Sequence, residues 1–307
     1  MRLKSLLNPR NYGQSIRRRF LAVKHHLYPN TKGTDCFAAG HYYSPLLDLK
    51  GLSLNQDCYP HDGVKNWEHI DLRPGEQRTF YTELLREHPP LAFPLRRSGE
   101  SRYFSKNDFF PVSDAYTLSA MIRRFKPGQI VEVGSGFSSA VTLDTLDRSN
   151  LSSLLTFIEP YPDRLYSLLS KADKASARII EKPVQETPMS VFDHLEANDV
   201  LFIDSSHVAK VGSDVSFLLL RVLPRLKKGV FVHIHDIFYP FTMPYSWIYE
   251  GRAWNESLFL RAFLQGNSSY EVVAFNPFAA ATFPDVFEHM FPPFLENPGG
   301  SIWLQKV

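Results

Sequence analysis

Two aspartates and two histidines close two apolar runs, "FIDSSHV" (202–208) and "HIHDIF" (233–238). If neighbouring strands end there, Asp204, Asp236, His207 and His235 offer oxygen and nitrogen donors to one divalent cation. The carboxylates favour octahedral Mg²⁺, whereas the imidazoles leave Mn²⁺, Fe²⁺ and Zn²⁺ open. The expected metal ligands are Asp204, His235 and Asp236. Such an ion lowers the pKa of a bound hydroxyl. His207, with an ordinary pKa of about 6.5, is the candidate general base, so His207, Asp204 and Asp236 form the expected catalytic group. The competing reading pairs the same carboxylates with Lys210 or Arg252. His233 alternates with Val232 and Ile234 and reads as a hydrogen-bonded core histidine.

A second constellation surrounds "IVEVGSGFSSA" (130–140). Gly134 permits a tight turn and Gly136 a close backbone approach to a ligand. Ser138 or Ser139 stands where dinucleotide folds place a third small residue, Gly or Ala. Glu132 is unfavourable beside a pyrophosphate and suits a cationic ligand; S-adenosylmethionine, with its ammonium and sulfonium and no phosphate, fits that preference. Glu159, in "FIEPY", follows Glu132 by 27 residues. A carboxylate there can accept both ribose hydroxyls. Gln185, in "KPVQE", is in reach of an adenine edge. The expected cofactor contacts are therefore Glu132, Gly134, Ser135, Gly136, Ser138, Glu159 and Gln185. Each acid taken singly also fits a helix cap or a surface carboxylate.

These residues need strand ends to hold them. Apolar runs at 129–133, 154–159, 177–181, 199–204, 229–236, 270–275 and 301–306 read as seven strands. Helical patterns lie between them: Asp114–Phe125 with Asp114 as N-cap, Ser138–Leu146, a segment after Pro162, and Asp214–Val222. Continuous apolar strands alternating with helices specify a doubly wound α/β sheet, whose ligands bind beyond the carboxyl ends of the strands. After Asp236 comes "IFYPFTMPYSWIYEGRAWNE", an aromatic loop that is either a lid over the site or a satellite hydrophobic cluster. Arg252, Asn255 and Glu256 are placed to begin a helix facing the substrate.

Composition sets the outer limits. The chain has 307 residues, 44% of them hydrophobic, with 24 Phe, 14 Tyr, 4 Trp and a net charge of +2. That excludes wholesale disorder, and no apolar run reaches the roughly 18 residues of a membrane helix. Residues 1–34 carry eight Arg and Lys and no acid. This basic arm is either a patch for anionic lipid, giving peripheral membrane contact, or a solvated terminus. Leu6 and Leu7 run into Asn8-Pro9-Arg10, so a secretory signal is not expected. The expected location is cytoplasmic, with Cys36 and Cys58 reduced. No basic motif interleaved with aromatics follows, and no nucleic-acid partner is expected. The expected domains are a basic arm at 1–34, an irregular appendage or substrate cap at 35–113, and an α/β domain at 114–307.

Beyond these patterns, "IVEVGSGFSSAVTLDTL", "FIEPYPDRL", "FIDSSHVAKVGSDVSFLLLRVLPRLKKGVFVHIHDIFYPF" and "GRAWNESLFLRAFL" resemble a bacterial family of class I S-adenosylmethionine-dependent methyltransferases. "AAGHYYSPL" and "YFSKNDFFPVSDA" resemble the same family's N-terminal part, so the likeness covers about residues 35–307. The resemblance implies a Rossmann-like seven-stranded sheet with a reversed final strand, and cofactor contacts at Glu132, Gly134, Ser135, Gly136 and Glu159. More distantly, the chain is similar to metal-dependent O-methyltransferases of macrolide sugars and to catechol O-methyltransferase. By that similarity Asp204 and Asp236 match Mg²⁺-binding positions and His207 a base position, while His235 stands where some relatives have a second acid. The implied function is O-methylation of a small-molecule or glycan hydroxyl. The alternatives are an NAD-dependent oxidoreductase on a similar sheet and a non-catalytic nucleoside-binding protein.

Overall fold

A computed structural model describes residues 37, 41–44, 46, 69–99 and 101–307. The basic arm and both cysteines lie outside the described residues. Two compact units divide the chain: Met1–Gly63 with Ile248–Ala253, and Val64–Trp247 with Trp254–Val307. In the first, the rings of Phe37 and His41 stack at 4.8 Å and those of Tyr42 and Tyr43 lie 4.3 Å apart.

The second unit is built on seven strands: β1 Gln129–Val133, β2 Leu154–Ile158, β3 Arg178–Ile180, β4 Val200–Ile203, β5 Phe231–Ile234, β6 Tyr270–Phe275 and β7 Ile302–Lys306. Their order is β3-β2-β1-β4-β5-β7-β6. All pairings are parallel except those of β7, which runs antiparallel to both β5 and β6. The central strands β4 (VLFI) and β5 (FVHI) are buried at every position, as the continuous apolar runs required of a sheet covered on both faces. His233 fits this core: its ring stacks on Phe202 at 4.0 Å and its Nε2 meets Ser301 Oγ at 2.8 Å. Burial pushes its pKa well below the ordinary value, so it is neutral.

The strands stop short of the expected acids. β2 ends before Glu159, β4 before Asp204 and β5 before His235 and Asp236. The charged groups thus fall just beyond the apolar interior while the backbone continues in register. Val133 pairs with Ile203 and Ile203 with Ile234. The Asp204 N–H then donates to Val133 O and the His235 N–H to Ile203 O, both at 2.8 Å. Strand order reverses between β1 and β4, which puts Gly134 and Asp204 side by side at the topological switch point.

Residues 69–99 and 101–113 fall in the same compact unit as the sheet. Helix Pro74–Glu87 packs on β6, and its Tyr81 hydroxyl donates to Asn276 Oδ1 at 2.6 Å. Arg102 donates to Asp144 at 3.0 Å, Asp147 at 2.7 Å and Asp173 at 2.6 Å, bridging this segment to helices Phe137–Ser149 and Lys171–Ser176. Because Asp144 is buried, removing Arg102 would leave an uncompensated interior charge.

The helix expected from Asp114 begins two residues earlier, at Val112. Asp114 is consequently not the N-cap. Its carboxylate is buried and accepts from Asn276 Nδ2 at 2.8 Å and the Gly300 N–H at 3.0 Å. Asp214–Phe217 is α-helical and passes into a π-helix over Leu218–Val222. No helix among the described residues is long and apolar enough to cross a membrane.

Candidate functional site

A cleft of about 410 Å³ opens beyond the carboxyl ends of β1, β2 and β4. That falls within the size range of small-molecule sites, roughly 300–1,000 Å³. Gly134, Glu159, Gln185, Asp204, Ser206 and Asp214 contribute to its walls.

Gly134 is required by its geometry. Its φ is +79°, and a β-carbon added there would lie 1.8 Å from the Asp204 carbonyl oxygen. Only glycine lets the turn pass this close to β4. Gly136 is less constrained, since its φ of 176° is extended and an added β-carbon would meet only the Arg164 side chain, at 3.2 Å.

Glu159 is fixed in the cleft from behind. The Ser135 N–H donates to its Oε2 at 3.2 Å and the Tyr161 N–H to its Oε1 at 2.8 Å. Each carboxylate oxygen keeps a lone pair for a ligand hydroxyl. Gln185 donates to Gly212 O at 2.8 Å, which joins the loops after β3 and β4 across the cleft. Ser206 is tied to Asp214 twice at 2.6 Å, through its N–H and its hydroxyl, and this shapes the same wall.

Glu132 and Ser138 sit elsewhere. Glu132 is 1% exposed, and its Oε1 accepts from Ser138 Oγ at 2.6 Å and Ser139 Oγ at 2.8 Å. It therefore holds the start of helix Phe137–Ser149 from beneath the turn and does not face the cleft. Burial pushes its carboxyl up to about 8 against the opposing serine hydroxyls, so it is neutral at pH 7. The electrostatic preference expected of Glu132 for a cationic ligand has no basis in this geometry. Ser135 and Ser138 are likewise buried, and the Ser135 hydroxyl has no hydrogen-bond partner among the described residues.

At one end of the cleft Asp204 joins a second cluster. His207 Nε2 lies 3.3 Å from Asp204 Oδ1 and 3.5 Å from Asp236 Oδ2. Donor atoms of Asp204, His207 and Asp236 all fall within 4.8 Å of one another, close enough to share one cation. His207 and Asp236 both have left-handed backbone, with φ of 59° and 56°. Non-glycine residues hold that region only where their surroundings impose it. At His207 the carbonyl oxygen accepts from the N–H groups of Asn255 at 3.0 Å and Glu256 at 3.1 Å. The Asn255 side chain also accepts from the Ala209 N–H at 2.6 Å.

The His207 ring is held at both nitrogens. Its Nδ1–H donates to Glu256 Oε2 at 2.9 Å, and its Nε2 faces the two aspartates. Burial alone would lower its pKa, but Asp204 and Glu256 outweigh this and raise it to about 10. These two carboxylates favour the protonated form of His207, whereas a general base needs the free one. Desolvation acts to raise the Asp204 pKa, yet His235 and His207 hold it well below the carboxylate range. Asp236 is pushed up by burial.

His235 reaches the cluster from below. Its Nδ1 lies 3.7 Å from both Asp204 Oδ1 and Asp236 Oδ1, and its Nε2–H donates to Asp114 Oδ2 at 3.2 Å. No ion pair among the described residues joins Lys210 to the aspartates.

The aromatic loop divides between two tasks. Tyr239 and Phe241 pack inward on Phe275, at 6.2 and 5.4 Å. Phe238, Trp247 and Trp254 form a chain of edge contacts that ends on His207, whose ring lies 4.3 Å from Trp254. Pattern reasoning left two site residues unrecognised in their roles: Asp114, read as a cap, and Glu256, read as facing the substrate. Each instead supports a histidine from a distant part of the chain, and no local motif signals such pairs.

Residues 131–237 match a family described as a methyltransferase domain. The chain is 30% identical over 168 residues to an uncharacterised protein of Archaeoglobus fulgidus, across 53% of this chain and 75% of that protein. Among solved structures it is similar to the SAH-bound Podospora anserina methyltransferase PaMTH1, with 14% identity and a TM-score of 0.42 over 85% of this chain and 98% of that one. It is also similar to the O-methyltransferase TomG from Streptomyces achromogenes, solved with SAM, with 12% identity and a TM-score of 0.42 over 76% and 90% of the two chains.

Proposed function

The chain belongs to the class I S-adenosylmethionine-dependent methyltransferases, and on that premise we propose that it methylates a hydroxyl oxygen of a small molecule or sugar at a site assisted by a divalent cation. One observation carries the reading: Asp204 both lines the cofactor-sized cleft and belongs to the donor group with His207 and Asp236. Donor and acceptor sites thus share a wall.

The residues divide the work. Gly134 lets the backbone turn pass close to β4 and keeps the cleft open. Glu159 accepts the ribose hydroxyls, and Gln185 stands in the wall where the adenine edge would lie. Glu132 and Ser138 support the glycine turn from within. Asp204, His207 and Asp236 would hold the cation, with His235 beside them. A divalent ion there would lower the pKa of an alcohol and offset the charge that develops on its oxygen.

Methyl transfer is an in-line displacement in which the carbon–oxygen bond forms as the carbon–sulfur bond breaks and sulfur keeps the electron pair. Fixing both partners on one sheet edge supplies the alignment on which the rate depends. His207, engaged at both ring nitrogens, has no free position to take the hydroxyl proton, which leaves to solvent. Transfer of a labelled methyl group from S-adenosylmethionine into an extract of low-mass metabolites, followed by identification of the methylated atom by NMR, tests the reading. An O-methyl product supports it, and an N-methyl product overturns the assignment to oxygen.

A further inference from the structure

The sulfur of S-adenosylmethionine carries three groups, and the cleft accounts for two of them. Glu159 and Gln185 face the adenosyl group, and Asp204 marks the end at which the methyl group meets its acceptor. The third group is an aminobutyrate tail with a carboxylate at its tip. Glu132 and Ser138 do not receive it, because they are bonded to each other beneath the glycine turn.

Arg164 stands beside that turn. It is the second residue of helix Asp163–Leu168, which follows the Glu159 loop. Its aliphatic stem crosses Gly136: a β-carbon built on the glycine would meet Arg164 Cδ at 3.2 Å and Cγ at 3.8 Å. Its guanidinium carbon lies 3.6 Å from the ring centroid of Phe109, and that ring stacks on Phe137 at 5.8 Å. Arg164 is exposed and Phe109 is 51% exposed, so the stack is open from outside. Among the described residues the guanidinium makes no ion pair and donates no hydrogen bond.

We infer that Arg164, held in place by Phe109, binds the carboxylate of the cofactor's aminobutyrate tail. The inference rests on the cofactor assignment above and names the residue that reads the part of the cofactor a plain nucleoside lacks.

The chemistry of the side chain suits the task. A guanidinium presents its N–H donors in one plane, as a fork that matches a carboxylate. Stacking its face on Phe109 fixes that plane and leaves the donors at its edge free. Position supports the same assignment. The Ser135 N–H donates to Glu159, and Gly136 under Arg164 is the next residue, so one short turn links the ribose carboxylate to the guanidinium. The N–H groups of Phe137 and Ser138, in the first turn of helix Phe137–Ser149, have no carbonyl of their own helix to bond and add to the positive field. Glu132 beneath them is held neutral and does not oppose that field. The buried Ser135 hydroxyl lacks a partner in the same turn, an orphan of the kind that a ligand or its water completes.

The test compares two ligands by calorimetry on the full chain. S-adenosylhomocysteine has the tail carboxylate, whereas 5′-methylthioadenosine ends in a methyl group on sulfur. Arg164→Ala should weaken S-adenosylhomocysteine binding about 10–150-fold, the range for hydrogen bonds between charged groups, and leave 5′-methylthioadenosine affinity within about twofold. Arg164→Gln keeps a stem across Gly136 and should show the same selective loss. Phe109→Ala should act in the same direction and less strongly. Retained binding of 5′-methylthioadenosine shows in each case that the variant is folded. Unchanged S-adenosylhomocysteine affinity in both Arg164 variants, or an equal loss for the two ligands, overturns the inference and leaves the cofactor assignment standing. Failure of the unsubstituted chain to bind either ligand overturns both.

Discussion

A β-carbon on Gly134 would lie 1.8 Å from the carbonyl oxygen of Asp204. The two residues follow adjacent parallel strands, so the glycine turn and the first acid of the cation cluster are set by one close backbone approach. The cleft and the Asp204–His207–Asp236 cluster are therefore coupled geometrically. Gly134→Ala must push β1 from β4 or flatten a φ of +79°. Overpacking of this kind costs about 1–3 kcal/mol or more. The expected outcome is a lowered melting temperature together with loss of S-adenosylhomocysteine binding, read by thermal shift and calorimetry; unaltered affinity would refute the coupling.

Glu159 makes the complementary prediction. Its oxygens are already oriented by the Ser135 and Tyr161 N–H groups, leaving lone pairs for the ribose. Glu159→Ala should cost about 1.5–3 kcal/mol of cofactor binding, the range for hydrogen bonds to a charged group. Calorimetry should show affinity falling roughly 10–150-fold with the fold intact.

The buried Glu132 gives a pH signature. Its carboxyl is raised to about 8 in the folded protein, above its ordinary value of 4.5. A raised pKa contributes stability that is fully present below the unfolded value and lost as pH rises through the folded one. Glu132 therefore favours folding at about pH 4.5 and loses that contribution progressively towards pH 8 and above. Glu132→Gln keeps an oxygen to accept from Ser138 and Ser139 and cannot ionise. Its melting temperature should fall less than that of the unsubstituted protein between pH 5 and pH 8.5. Parallel curves would show that Glu132 does not titrate in this window.

Asp236 separates the two halves of the site. It belongs to the cation cluster and takes no part in the walls of the cofactor cleft. Asp236→Asn should abolish methyl transfer while S-adenosylhomocysteine affinity falls far less than in Glu159→Ala, since Asp236 lines no wall of the cleft and reaches it only through His207 and Asp204. A variant that retains turnover would remove Asp236 from the chemistry.

The sheet was legible in the sequence because its signals are local. Each strand is a short apolar run, and that pattern located all seven strands and put Glu159, Asp204 and Asp236 at the ends of parallel ones. The orientation of side chains was not legible. Glu132 lies in β1 and turns its carboxyl under the next helix, because Ser138 and Ser139 offer it two hydroxyls. Asp114 looked like an ordinary cap, yet it meets His235, 121 residues away, and Glu256 meets His207 across 49 residues. Such pairs follow from packing between elements, and no single-sequence periodicity records them. The same limit applied to His207: its position matched that of a base, but its two ring nitrogens were already engaged.

The central claim is cation-assisted transfer of a methyl group from S-adenosylmethionine to a hydroxyl. Its most direct measurement is transfer of labelled methyl into low-mass acceptors from a metabolite extract, before and after exhaustive chelation and again after restoring Zn²⁺ or Mn²⁺. The account predicts labelled product that disappears on chelation and returns with the ion. Undiminished transfer by the chelated protein would contradict it.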